Sequence, residues 1–227
     1  MKVLIKLGVI SSALFFMLAR NVDLIRIEQP DEDDFKYMQR TIDYTLSIGK
    51  CLEQPFGASI VRKRTGEVLC YGVNTVSQSP TWHGETKAIE NCAAIYPDQG
   101  NNVTFWKELT LYTTGEPCPM CSAAILWSHI GRLVISTPME VFAKSGFEHI
   151  PLRYTQVAEH ANTEHSANLV VVEGVLSEIT DPWFSWQFDP KGKCPHGCHK
   201  EGSKCIETSD AEEPKKPQIP DNIKLEL

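Results

Sequence analysis

Apolar positions along the chain change their period several times, and each change marks an element. Phe35, Met38, Ile42 and Leu46 recur at helical spacing. Asp31 to Asp34 supply a cap and first-turn acids ahead of them, and Gly49 stands where a helix would stop. Ala58 to Arg62 and Glu67 to Tyr71 alternate or run apolar as strands do, around a Lys63–Gly66 turn. Ala88, Ile89, Cys92, Ala93 and Tyr96 fall on one face of a helix that begins at or beside His83. Residues 97–104 read as a loop, Leu109 to Thr114 as a strand, and Pro117 or Pro119 as the opening of another helix. Met120, Ala124 and Trp127 would be its buried stripe. Arg132 to Ser136 is a further strand, Met139 to Ala143 a short helix, and residues to about 168 are looser. Leu169 to Val175 completes the strand set. Strands alternating with helices predict a three-layer α/β/α domain over residues 32–190, with a central mixed sheet of about five strands.

Both ends differ from this middle. Lys2 and Lys6 precede an apolar run from Leu7 to Leu18, closed by Ala19-Arg20. That is the plan of a signal peptide over residues 1–20, and residues 21–30 follow as a linker. An uncleaved anchor is the alternative, but about a dozen apolar residues barely reach across a bilayer, so no stable membrane span is expected after cleavage. From residue 191 to 227 a cysteine-containing extension gives way to an acidic, Pro-rich tail with the composition of a disordered segment. The last four residues, Lys224 to Leu227, resemble an ER-retention signal, so retention there is a weaker alternative to secretion. Asn102-Val-Thr104 is a glycosylation sequon, consistent with a secretory route.

Charge narrows the partners. The chain carries a formal net charge of −7, which becomes −10 once Lys2, Lys6 and Arg20 leave with the signal segment. Phosphate neutralisation by Lys and Arg carries most nucleic-acid affinity, and the densest basic cluster here, Arg62 to Arg64, sits in a turn. A small-molecule substrate is favoured and a nucleic acid is disfavoured.

The chemistry lies in two short stretches, His83-Gly84-Glu85 and Pro117-Cys118-Pro119-Met120-Cys121. One histidine and two cysteines at i and i+3 make a three-ligand Zn2+ set with a fourth position open. Glu85, two residues past the histidine, is placed to act on a water there as a proton shuttle. Alone, either motif is weak; in this order, each at a loop-to-helix junction with a strand between, they match the His-x-Glu and Pro-Cys-x-x-Cys signature of zinc deaminases. Phe56 is a candidate to stack on a ring, with a core aromatic as the alternative.

Residues 55–148 resemble the cytidine deaminase-like zinc hydrolase superfamily, and most the branch of guanine deaminases and tRNA adenosine deaminases. Pro55-Phe-Gly-Ala58, Ser79-Pro-Thr-Trp-His-Gly-Glu85 and Leu111-Tyr-Thr-Thr-Gly-Glu-Pro-Cys-Pro-Met-Cys121 carry the likeness. It implies hydrolytic release of ammonia from a nucleobase or nucleoside, and a homodimer. It also implies that Asn74 binds the base and that the Gly84 backbone N–H faces substrate; a turn residue is the alternative for Asn74. Two departures bear on substrate. Trp82 stands where the branch has a small residue, which should reshape the pocket. Gly146-Phe-Glu-His149 replaces the Gly-Phe-Asp-Asp of guanine deaminases, so the acid that pairs with guanine N–H groups is missing. The alternatives are a tRNA adenosine deaminase-like enzyme, or a secreted binding protein that retains the deaminase fold.

Six cysteines remain: Cys51, Cys70, Cys92, Cys194, Cys198 and Cys205. Beside a signal peptide they suggest disulfides, with about 15 pairings open. A free buried thiol is an alternative for Cys92. A second metal site at Cys194, Cys198, His199 and Cys205 ranks below disulfides.

Overall fold

The first helix shows how local sequence sets an element. α1 (Glu32–Ile48) starts at Asp31, whose side chain accepts from the Asp34 N–H while Asp34 returns the bond to the Asp31 N–H. This reciprocal box satisfies two donors that a helix start otherwise leaves unpaired. In a computed structural model that describes residues 25–161, 169–189 and 191–208, α1 lies across a six-stranded sheet. Its strands are β1 (Ile25–Ile27), β2 (Gly57–Arg62), β3 (Glu67–Val73), β4 (Leu109–Gly115), β5 (Arg132–Thr137) and β6 (Leu169–Val172). They lie in the order β1-β6-β5-β4-β2-β3. β1, β6, β5 and β4 run parallel, and β2 pairs antiparallel with both β4 and β3.

Residue alternation sorts the sheet's two faces. Ile60, Leu111, Leu133, Ile135 and Val171 join one core with residues of α2 (Gly84–Ile95), α4 (Pro119–Trp127) and α6 (Tyr154–His160). Their neighbours Val61, Tyr112, Val134 and Val172 join another core with α1 and α5 (Met139–Ser145). Strands β2 and β4 to β6 are buried on both sides, as a sheet between two helical layers requires, while edge strand β1 is largely exposed. The three-layer expectation and the mixed sheet are met.

Several boundaries differ from the sequence reading. The sheet has six strands rather than about five, because Ile25–Ile27, read as linker, pairs with β6. The loop of residues 97–104 contains a 3-10 turn at Pro97–Gln99 and the start of α3 (Val103–Lys107), capped by Asn102. The looser region before residue 168 contains α6. On α4 the buried residues are Cys121, Ser122, Ile125 and Leu126, not Met120, Ala124 and Trp127; Trp127 is 71% exposed. Beyond the sheet, a short turn of helix, α7 (Ser177–Thr180), leads to the hairpin of β7 (Cys198–Glu201) and β8 (Lys204–Glu207). The six cysteines outside the ligand set pair as Cys51–Cys198, Cys70–Cys92 and Cys194–Cys205. Cys92 is therefore not a free thiol, and among the described residues of the extension no second ligand set remains. The signal segment and most of the acidic tail, with its last four residues, lie outside the described residues. No helix among the described residues is long and apolar enough to cross a membrane.

Candidate metal centre and pocket

Two helix starts converge to build the site. β4 ends at Gly115, and Glu116-Pro117 leads to Cys118, the N-cap of α4, with Pro119 in its first turn. His83 is the N-cap of α2, and its N–H donates to the Thr86 hydroxyl. Helix α2 lies directly on the sheet because glycine occupies both contact points. A Cβ on Gly72 would sit 2.3 Å from the Ala88 nitrogen and the Gly84 oxygen, and one on Gly84 would sit 2.8 Å from the Phe56 oxygen. No larger residue fits between these backbones.

The convergence brings His83, Cys118 and Cys121 together, as the sequence spacing required. The Cys118 Sγ, Cys121 Sγ and His83 Nδ1 atoms form a triangle with sides of 3.6 Å. A tetrahedral zinc with Zn–S near 2.3 Å and Zn–N near 2.0 Å requires edges of about 3.8 Å between sulfurs and about 3.5 Å between sulfur and nitrogen. The donor types and the edge lengths therefore fit zinc, and these three are the residues that would hold it.

Charge in the site is tightly interdependent. Hydrogen bonding from Cys121, helped by His83, lowers the Cys118 thiol to about 4. Cys121, beside that thiolate and buried, is raised well above the ordinary thiol range. His83 is raised chiefly by its hydrogen bond with Cys118. Glu85 is 2% exposed, and burial, with Cys118 nearby, pushes its carboxyl up. The Thr113 hydroxyl on β4 stands 3.2 Å from Glu85 Oε1 and donates to the Gly115 carbonyl at 2.9 Å. Nothing in the sequence pattern singled out Thr113.

A cavity of about 830 Å³ opens over this centre, at the large end of small-molecule sites, about 300–1,000 Å³. His83, Glu85 and Cys118 line its floor, and Asn74 and Phe56 line its wall. Asn74 is fixed by its N–H to the Phe56 carbonyl at 2.8 Å, and its Oδ1 accepts from the Val76 N–H at 3.1 Å. Among the described residues its Nδ2 group has no partner. Phe56 is both core and wall, 4.9 Å from the Phe184 ring and edge-on to Phe142 and Phe147. Left-handed Gly146 turns the chain so that Phe147 to Ile150 form the roof, with His149 Nδ1 donating to the Phe147 carbonyl at 2.8 Å. Trp82 and Gly84, expected at the substrate, do not line the cavity: the Trp82 ring lies 3.8 Å under Lys87 Nζ, and Gly84 is spent on the contact with Phe56. Trp186, Phe188, Ser203 and Lys204 also line the cavity and were not singled out from the sequence.

Residues 31–137 match the cytidine and deoxycytidylate deaminase zinc-binding region. Over that stretch the chain is similar to the zinc-binding region of cytidine deaminase-like enzymes. A probable cytosine deaminase of Schizosaccharomyces pombe is 30% identical over 113 residues, covering 50% of this chain and 65% of the relative. A tRNA-specific adenosine deaminase of Buchnera aphidicola is 35% identical over 105 residues, 45% of this chain and 60% of the relative. The chain thus spans less than two thirds of either. A structure described as guanine deaminase from Nitrosomonas europaea shares the fold, with a TM-score of 0.53 at 20% identity over 70% of this chain and 85% of that one. The proteins that this chain resembles thus carry three different substrates in their names, and the pocket must be read on its own residues.

Proposed function

We propose that the chain is a zinc-dependent hydrolytic deaminase of a small ring amidine, a nucleobase or nucleoside, that works in the secretory pathway. The observation that carries this reading is the 3.6 Å His83–Cys118–Cys121 triangle with buried Glu85 beside it at the floor of an open cavity.

Bound zinc supplies Lewis-acid activation of water for attack at the amidine carbon. The protein's own groups do the rest. Glu85 takes a proton from the attacking water and gives it to the departing amino nitrogen, so that a C–O bond forms, the C–N bond breaks and ammonia leaves. Asn74 offers an amide donor to a ring edge, and Phe56 and Phe147 give the ring apolar walls. With Nδ1–H donated to the Phe147 carbonyl, the neutral tautomer of His149 would present Nε2 as an acceptor for a ring or exocyclic N–H.

Three disulfides support passage through an oxidising compartment. The net charge of −7 weighs against a tRNA substrate. The test is ammonia release by zinc-loaded protein from guanine, adenine, cytosine and their nucleosides. Glu85→Gln should lose about 10²–10⁴-fold in kcat with one zinc retained per chain. Undiminished turnover in that variant would sink the assignment.

A further inference from the structure

The pocket has a wall that the deaminase sheet does not supply. Ser203 and Lys204, at the tip of the β7–β8 hairpin, line the same cavity as Glu85 and Cys118. The hairpin turns on Gly202 and Ser203, with Gly202 at φ +62°, and of its strand residues only Cys205 is buried. A two-stranded hairpin with no buried face is not stable alone in water, so its position is set by what fastens it.

The fastenings are identifiable. Cys198 is bonded to Cys51 across 147 residues of sequence, and Cys194–Cys205 ties the hairpin to its own approach. The Lys50 N–H donates to Glu207 Oε1 at 3.0 Å, and Lys200 Nζ donates to the Asp189 carbonyl at 2.8 Å. Across the rim, Lys204 Nζ stands 3.4 Å from Glu53 Oε1. The exposed ion pair contributes little, whereas a disulfide closing so long a loop contributes several kcal/mol. Cys51 is followed by Glu53 and Gln54, which also line the cavity, and the Glu53 carbonyl accepts from Gln187 Nε2 at 2.9 Å. The bond to Cys198 therefore joins the hairpin to the segment that leads to Phe56.

We propose that the hairpin, held by Cys51–Cys198, is a fixed outer wall that sets the size of substrate the pocket admits. It leaves room for a base or nucleoside and bars a polynucleotide; Ser203 and Lys204 are the residues at the limit. The substrate class rests on the deaminase reading above, but the wall itself does not.

The test uses full-length, chelator-stripped protein and follows alkylation of Cys118 by mass. Iodoacetamide is the small probe and fluorescein maleimide the bulky one. Releasing the hairpin with Cys51→Ser/Cys198→Ser should raise the bulky-to-small rate ratio about tenfold by opening the rim. Ser203→Tyr, which keeps every disulfide and changes an exposed turn residue, should lower the ratio severalfold. An unchanged ratio in a folded double variant, or in Ser203→Tyr where the double variant does not fold, would overturn the proposal. Zinc-loaded samples add a second arm: oligonucleotide deamination should appear only when the hairpin is released. If no substrate yields ammonia with either protein, the deaminase reading fails, while the alkylation ratio still decides the wall.

Discussion

Arg132→Met should expose what joins the first helix to the sheet. Arg132 opens β5, and its guanidinium meets Asp34 of α1 with both nitrogens, Nη2 to Oδ2 at 2.7 Å. The Asp34 side chain is fully buried and that of Arg132 is 12% exposed. Asp34 also accepts from the Tyr112 hydroxyl at 3.2 Å and the Asp31 N–H at 3.0 Å. Removing the arginine leaves a buried carboxylate with two neutral donors, and breaking such a pair costs about 3–5 kcal/mol. The loss has a ceiling, because an uncompensated carboxylate takes up a proton instead. Protonating an ordinary aspartate at pH 7 costs about 4.2 kcal/mol. Together these place the loss at about 3–4 kcal/mol, or roughly 6–16 °C in Tm for a chain of this size. In the variant, the folded state binds that proton more tightly than the unfolded state does. Its deficit is therefore largest at high pH and shrinks on acidification, by at most about 1.4 kcal/mol between pH 7 and pH 6. Urea unfolding of wild type and variant at both values is the assay. The double change Asp34→Asn/Arg132→Met removes the stranded charge and should be more stable than Arg132→Met alone. A loss below about 1 kcal/mol, or a deficit that grows on acidification, would refute the reasoning.

Gly72→Ala puts a methyl group 2.3 Å from two backbone atoms of α2, so it should cost at least about 1–3 kcal/mol and lower bound zinc through His83, read by urea midpoint and metal content. Stripping zinc should lower Tm by roughly 8–16 °C if the free metal stood near 1,000 Kd, which calorimetry with and without chelator measures; an unchanged Tm would mean that the triangle does not hold metal. Asn102 is exposed, and its Oδ1 caps the Phe105 N–H at 3.2 Å, which a glycan on Nδ2 leaves intact. Expression through a secretory pathway should give one endoglycosidase-sensitive mobility shift that Asn102→Gln removes.

What was legible in the sequence depended on how locally each feature is determined. Helix α1 carries its own cap, although its buried face runs through Tyr37, Met38, Thr41, Ile42 and Tyr44 and leaves Phe35 exposed, and the strands β2 to β6 carry alternating or continuous apolar runs. The candidate centre was legible because its groups come in two short motifs, each at a helix start. The short elements were not. β1 is three residues long and exists by pairing with β6, while α3 and α6 are of five and seven residues, below the length at which a helix declares itself. Helix α4 is apolar on nearly every side, so its periodicity could not choose the buried face, and the two neighbouring elements chose Ile125 over Trp127. The outer wall was hidden for a different reason. It is formed by a distant part of the chain, and its position follows from one cysteine pairing among the many that composition allowed.

That pairing also resolves a conflict within the thiols. A chain that makes three disulfides must keep two further cysteines reduced if they are to bind metal. The fold separates the two populations by place: the six paired cysteines join β3 to α2 and fasten the hairpin, while Cys118 and Cys121 sit on the first turn of α4. Their sulfurs stand 3.6 Å apart, well beyond the roughly 2.05 Å of a disulfide and close to the edge of a zinc tetrahedron. His83 reaches both from another helix at the same 3.6 Å. Closing a disulfide between the two sulfurs would dismantle the triangle, so metal held by the three groups would keep both thiols reduced. The close glycine packing that sets His83 and Glu85 in place therefore also supplies the third corner of the site that would bind metal and shield Cys118 and Cys121 from oxidation.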